Sequence, residues 1–240
     1  MRRASCDGYA VMSVDPPWTG ETGGNRAAPG HNIGAAGKRG AAAYRPMSLR
    51  DIMDMPVEEV AAADCLLGLW APWIMTVGPE IRRAGRERLV LPPPAVQVAL
   101  AWGFTPFHCV PWIKGRWRSD SDSDGLVIVP GMGNYVRSCT EALILCKRGS
   151  PRVETRDRVN GVLPISFEEE SDVALLAPRG RHSQKPDVSR DLLRRLVPDG
   201  PACELFARSS SPGWDAWGNE APEPSPRLLD ALGAFWRDPA

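Results

Sequence analysis

The chain has 240 residues, 29 basic and 29 acidic side chains, 23 Gly, 24 Pro and six Cys. That length supports one sizeable core with long loops. Zero net charge points to no particular partner, yet leaves room for a cationic face that the sum would hide. The cysteines at 6, 65, 109, 139, 146 and 203 form no CxxC pair, and "ADCLLGLW" and "FHCVPWIK" place some of them in apolar runs. Reduced thiols are expected, without a disulfide framework or a metal site. "MRRASCDGYA" lacks an apolar signal core and no run reaches the length of a membrane span, so the expected location is the cytoplasm, away from membranes.

In chain order, "GYAVMSV" (8 to 14) predicts a buried strand that stops at Asp15. Residues 19 to 43, rich in Gly and Ala, predict a long loop. "MSLRDIMDMPVEEVAAA" predicts a helix, two turns on each side of Pro56, opened by a Ser48–Asp51 capping box. "DCLLGLWA" (64 to 71) is a second strand, and 76 to 94 an excursion carrying a basic helical segment with Arg82, Arg83, Arg86 and Arg88. "PAVQVALAWGF" is a helix stopped by Gly103, and "PFHCVPWIK" a strand that Pro111 marks as an edge or a bend. Residues 115 to 134 form a polar loop, and "TEALILCKRG" a further strand. "KPDVSRDLLRRLVPDG" predicts a helix with Val188, Leu192, Leu193 and Leu196 on its apolar face; "ACELFAR" (202 to 208) is a strand, and the tail from 221 to 240 holds a short helix. Alternating strands and helices predict a single three-layer α/β domain: a mainly parallel sheet with helices on both faces. Ligands of such sheets bind beyond the carboxyl ends of the strands.

Two strands end in sharply polar text, "SVDPPW" and "LFARSSSPGWDAWGNE". In Asp15-Pro16-Pro17-Trp18 each proline fixes φ and withholds an amide proton. A carboxylate beside stiff carbonyls makes an accepting site for an amine with two N–H donors, and Trp18 offers a flat face for a planar ring. An amino-substituted base such as adenine meets both demands. Its exocyclic nitrogen is a poor nucleophile because the lone pair is delocalised into the ring. Two acceptors that hold its hydrogens out of plane free that pair for attack on an electrophilic methyl, by orientation and charge placement.

"DPPW" after an apolar strand resembles the amino-methyltransferases of exocyclic nitrogens. The chain as a whole is similar to the adenine-N6 methyltransferases related to the catalytic subunit of the eukaryotic mRNA adenosine methyltransferase, whose bacterial and phage members act on DNA. The likeness lies in blocks in order: "YAVMSVDPPW", "MSLRDIMDMPVEEVAAADCLLGLWA", "AWGFTPFHCVPWIKGRWR", "GMGNYVRSCTEALILCKRG", "RHSQKPDVSRDLLRRLVP" and "ELFARSSSPGWDAWGNE". The resemblance implies a Rossmann-like fold and S-adenosyl-L-methionine as methyl donor. It implies Asp15, Pro16, Pro17 and Trp18 as the catalytic corner, and Lys185 on the donor's carboxylate. It further implies Phe206 against the donor, Arg208 near its ribose, and Asn219 and Glu220 on the ribose hydroxyls.

For the nucleic acid, Trp112, Lys114, Arg116, Trp117, Arg118, Tyr135 and Arg137 interleave rings and cations, the pattern for stacking plus phosphate contact. A base in a duplex must be extruded to be modified. "GMGN" (131 to 134) lacks the third glycine and the preceding strand of a phosphate loop. DNA is the expected partner, ahead of RNA. A catalytically silent nucleic-acid-binding subunit and an unrelated nucleotide-binding α/β protein are alternatives, and no oligomeric state can be read.

Overall fold

The computed structural model describes residues 8–18, 47–84, 87–120, 123–128, 139–153, 175–178, 184–221 and 223–233. The loop expected at 19 to 43, "GMGN", Tyr135 and Arg137 lie outside them. Among the described residues, ten strands and five helices follow in chain order: β1 Tyr9–Val14, α1 Leu49–Met53, α2 Val57–Val60, β2 Ala61–Ala71, β3 Glu80–Ala84, β4 Glu87–Leu91, α3 Pro94–Ala101, β5 Thr105–Asp120, β6 Ser123–Ile128, β7 Thr140–Arg148, β8 Leu175–Pro178, α4 Val188–Leu196, β9 Ala202–Leu205, β10 Asp215–Trp217 and α5 Pro226–Leu232.

Eight strands share one sheet in the order β10-β9-β1-β2-β7-β5-β6, with β8 also paired to β5. The β10-β9-β1-β2 half is parallel, whereas β7 runs antiparallel to both β2 and β5, and β6 antiparallel to β5. The sheet is mixed, which corrects the mainly parallel expectation. The cause is local. Of the stretch expected as a loop, residues 115–120 and 123–128 are strand instead: β5 runs on to Asp120, which pairs with Ser123, and so short a connection can join only antiparallel strands. β7 then returns in the gap between β2 and β5.

Residues of β2 and β7 alternate between two buried layers. Cys65, Leu67, Leu69, Ile144 and Cys146 face the layer built with α1, α2, α3 and α5. Leu66, Trp70, Leu143 and Leu145 face Leu192 and Leu193 of α4. Burial on both faces explains why these strands read as unbroken apolar runs. α1 starts at the expected box, with Asp51 N donating to Ser48 Oγ at 3.1 Å and Ser48 N to Asp51 Oδ2 at 3.4 Å. The second helix is shorter than expected, because Ala61–Ala63 already belong to β2. Gly103, at φ 78°, ends the turn after α3 in the left-handed region that favours glycine. On α4, Leu192 and Leu193 are buried but Val188 is exposed, so the apolar face is narrower than the sequence suggests. Pro111 sits where β5 pairs only with β7, since β8 joins from Trp112 onward. Its missing N–H therefore breaks no ladder on that flank. The basic excursion at 76 to 94 is a hairpin, β3–β4, and not a helix.

Candidate active site

Parallel register brings three strand ends to one rim. Val14 lies level with Leu69 and Leu205, and Leu205 level with Trp217, so Asp15, Phe206 and Gly218 leave the sheet side by side. Because β7 runs the other way, its first residues reach this rim: Ala142 stands beside Ala71, and Glu141 beside Trp112.

Four charges link across the rim. Lys185 Nζ lies 2.8 Å from Asp15 Oδ2 and 3.1 Å from Glu141 Oε2, and Lys114 Nζ lies 2.5 Å from Glu141 Oε1. Beneath them Trp70 and Trp112 meet edge to face at 5.9 Å, Lys185 over Trp70 and Lys114 over Trp112. This aromatic floor removes water from below the ion pairs and strengthens them. Burial pushes the Asp15 carboxyl up, a trend that Lys185 opposes and Glu141 reinforces, and the net direction is upward. Burial pushes Glu141 up as well, but Lys185 and Lys114 together outweigh it and hold it below its ordinary range. Burial would lower Lys185, yet Asp15 and Glu141 keep it firmly protonated. Glu141 is not among the residues the sequence singles out, although an acid opening an apolar strand is a visible signal.

The corner itself is more self-contained than expected. Pro16 O accepts from Trp18 N at 2.8 Å, and Pro17 O from Met47 N at 2.9 Å. Each proline carbonyl thus has one lone pair committed and one left. Trp18 is 5% exposed and its Nε1 donates to Trp70 O at 2.9 Å. It braces the corner against β2; its ring is not a free stacking face. Trp112 is likewise buried, at 2% exposure, and forms the floor rather than a platform for a base. Arg116 is exposed on β5 beyond the rim.

On the other side, Phe206 takes φ 63°, a conformation rare for a residue with a Cβ, and meets Trp217 edge to face at 5.3 Å. Arg208 NH1 lies 3.7 Å from Glu220 Oε1, while Glu204 is bound instead by Arg190 at 2.8 Å. Burial raises the Glu204 carboxyl and Arg190 opposes that. Asn219 is exposed at the end of β10. Gly218 packs against backbone: a Cβ there would fall 2.2 Å from Ala207 O. Gly218→Ala must therefore push β10 from β9 and displace Asn219 and Glu220. We expect it to cost about 1–3 kcal/mol of stability, read by denaturant unfolding.

The described residues hold no group of three or more His, Cys, Asp or Glu placed for a metal ion, and no helix among them is long and apolar enough to cross a membrane.

Residues 9–220 match the MT-A70 family model. Among curated proteins the chain is similar to the Type II methyltransferase M.MunI of Mycoplasma sp, 26% identical over 225 residues that cover 90% of this chain and 78% of the relative. It is similar to the N(6)-adenine-specific methyltransferase METTL4 of Homo sapiens, 28% identical over 213 residues, 88% of this chain and 37% of METTL4. It also resembles the N6-methyladenosine RNA methyltransferase MTA1 of Pyricularia oryzae, 24% identical over 222 residues, 90% of this chain and 48% of MTA1. The chain thus spans less than half the length of METTL4 and MTA1.

Proposed function

The chain belongs to the MT-A70 family of methyltransferases, and on that premise we propose that it transfers a methyl group from S-adenosylmethionine to the exocyclic N6 of adenine in DNA. The observation that carries this reading is the placement of Asp15, on its proline-stiffened corner, level with the ends of β9 and β10 on one rim. The names of two relatives, METTL4 and MTA1, specify adenine N6 chemistry, which supports the target atom. DNA is favoured because the bacterial and phage members that the sequence resembles act on it.

The residues present fit the donor. Its amino-acid end asks for charged partners and its ribose for paired donors and acceptors. The close approach of Gly218 to the Phe206–Ala207 backbone, which admits no Cβ, accompanies the pairing of Glu220 with Arg208. Lys185, Phe206, Arg208, Asn219 and Glu220 would hold the donor. When bound, S-adenosylmethionine supplies an electrophilic methyl on a sulfonium that departs as a neutral thioether. All other requirements fall on the chain. Asp15, whose charged form Lys185 favours against burial, accepts one N–H of the target amine, and the remaining lone pair of Pro16 O accepts the other. Held this way, the nitrogen keeps its lone pair out of the ring and pointed across the rim. The tryptophan floor excludes water from the pairs that set Asp15 in place. No base is needed beforehand, since the methylated nitrogen is acidic and releases its proton afterwards. Exposed Arg116, on the part of β5 that leads away from the rim, would meet the phosphates, while Lys114 is engaged by Glu141 and would act on the substrate only through that pair; Tyr135 and Arg137 keep the substrate-binding role implied by their sequence pattern.

Activity should fall on acidification, because a protonated Asp15 cannot accept. Burial raises the Asp15 carboxyl from its ordinary 3.8, so the acid limb of kcat should sit above that value and report the coupled Asp15–Glu141 pair. A kcat profile against pH checks this, and a limb at or below the ordinary carboxylate value would contradict it.

The function is tested by incubating the protein with labelled S-adenosylmethionine and separate DNA and RNA pools, then identifying the modified nucleoside. Label in N6-methyldeoxyadenosine is expected. Label confined to RNA adenine would replace DNA by RNA as substrate, a second reading favoured by the MTA1 relative. Label in cytosine, or none in either pool, would overturn the proposal.

A further inference from the structure

The first turn of α4 holds a charge cluster separate from the groups that face the target amine. Arg190 is 9% exposed. Its NH1 donates to Glu204 Oε2 of β9 at 2.8 Å, and its NH2 pairs with Asp187 Oδ1. Asp187 stands at the N-cap position of α4 yet makes no side-chain cap bond; its carboxylate is taken by the guanidinium instead. Ser189 Oγ donates to Pro186 O at 2.7 Å and tightens the same turn. Lys185 leads directly into that turn through Pro186, whose ring fixes φ.

These bonds close a frame around the rim. Asp15 N donates to Leu205 O at 3.4 Å, and Glu204, the residue before Leu205, lies level with Ser13 of β1. Glu204 binds Arg190, the first turn of α4 leads back through Pro186 to Lys185, and Lys185 Nζ returns to Asp15 Oδ2 at 2.8 Å. Further along α4, Leu192 and Leu193 share an apolar cluster with Val11, Leu66 and Ala202. Such contacts are non-directional: they set how close the helix lies, not how far it slides or rolls. A forked guanidinium between two carboxylates does fix direction. Stability alone is a poor reason to bury that fork, since apolar residues of similar volume commonly do as well or better.

We propose that Arg190 is a positioning residue: through Glu204 and Asp187 it sets α4 against β9 and thereby holds the Lys185 ammonium on Asp15. The role rests on the methyltransferase reading and deepens it, by naming what places the cation that favours a charged acceptor. Facing Asp15 are Lys185 ahead of α4, Glu141 on β7, Arg208 after β9 and Glu204 on β9; Lys114 of β5 bears on Glu141, and Asp187 and Arg190 of the α4 turn bear on Glu204. Burial raises the Asp15 carboxyl, and Lys185 leads the opposition to it. With Lys185 displaced, burial is opposed less, so Asp15 takes up its proton at a higher pH and accepts the amine over a narrower range.

The test compares the full-length wild type with R190M, R190K and the double variant R190M/E204Q. Two quantities are followed across pH: kcat for labelled methyl transfer to DNA, and the titration of the Asp15 carboxyl carbon by ¹³C NMR, assigned with Asp15→Asn. Denaturant unfolding is measured alongside. R190M strands Glu204 without its cation and should lose stability; R190M/E204Q leaves no unpaired charge in the interior and should regain most of it. Both should lower kcat about tenfold or more with the KM for DNA unchanged, and both should move the acid limb and the Asp15 titration toward neutral pH. R190K keeps the charge without the fork and should lie between wild type and R190M. Should R190M fail to fold, the other two variants carry the test. A double variant with the wild-type acid limb and Asp15 titration would overturn the proposal, because the stranded charge on Glu204 would then be the whole effect. So would lost stability with the Asp15 titration unmoved, the mark of a merely structural brace. A displaced Asp15 titration in a protein that methylates neither DNA nor RNA would overturn the methyltransferase reading alone; an unmoved one in a protein that methylates DNA would overturn the positioning role alone.

Discussion

Asp15→Ala should sharply reduce methyl transfer while leaving donor binding in place. The substitution removes the acceptor proposed to orient the target amine. Loss of one preorganised electrostatic group at a reacting centre costs about 10²–10³ in kcat, so kcat should fall by at least about 10²-fold. Asp15 leaves β1 beside Leu205 and does not fill the core; the fold should persist. Asp15→Asn separates charge from acceptor. It keeps a carbonyl oxygen for the amine but leaves Lys185 with Glu141 alone, and its kcat should lie between wild type and Asp15→Ala. Single-turnover transfer from labelled donor reads all three proteins. An Asp15→Ala variant with wild-type kcat would remove the corner from the chemistry.

Lys185→Met carries the largest expected effect on stability. Among the described residues, Lys185 is the cation that touches both Asp15 and Glu141, and its side chain is only 10% exposed. Without it two partly buried carboxylates face each other over an aromatic floor, with Lys114 beside Glu141. Breaking a buried pair by removing one partner typically costs about 3–5 kcal/mol, and denaturant unfolding should show a loss of that order. The pH dependence should change in a defined direction. Without Lys185, burial and the Glu141 charge raise Asp15 against much weaker opposition, so the acid limb of kcat moves toward neutral pH. Lys185→Arg restores charge but not the compact point charge of an ammonium, and should recover stability more fully than activity. A Lys185→Met protein of wild-type stability would show that the four-charge link contributes little.

How much of this is legible in the sequence depends on which end of a strand matters. The Asp15-Pro16-Pro17 corner is readable because an apolar β-branched run stops at an acid and two prolines. The capping box at Ser48 and the turn at Gly103 are readable because their residue types impose local geometry. Glu141 escapes notice because a parallel sheet directs attention to carboxyl ends, whereas antiparallel β7 brings its first residues to the rim. Sheet direction is set by which strands become neighbours, and that is a long-range choice that no local pattern encodes. The same limit applies to the β3–β4 and β5–β6 hairpins, whose polar and glycine-rich text does not read as strand until pairing is known. Trp18 and Trp112 are expected as stacking faces on the strength of their position beside loops. Their rings are instead held in the interior by packing and, for Trp18, by a bond to Trp70 O, and a tryptophan at a strand end does not declare which way it turns.

The central claim is that Asp15 and its stiff corner aim the N6 nitrogen of adenine at a donated methyl. It is tested most directly by supplying a DNA duplex labelled with ¹⁵N at the adenine amine, together with methyl-¹³C S-adenosylmethionine, and recording the product by NMR. A one-bond ¹³C–¹⁵N coupling, present with the wild type and missing with Asp15→Ala, is the predicted result. A ¹³C methyl signal in the DNA with no coupling to that nitrogen, or the same coupling with Asp15→Ala, would contradict it.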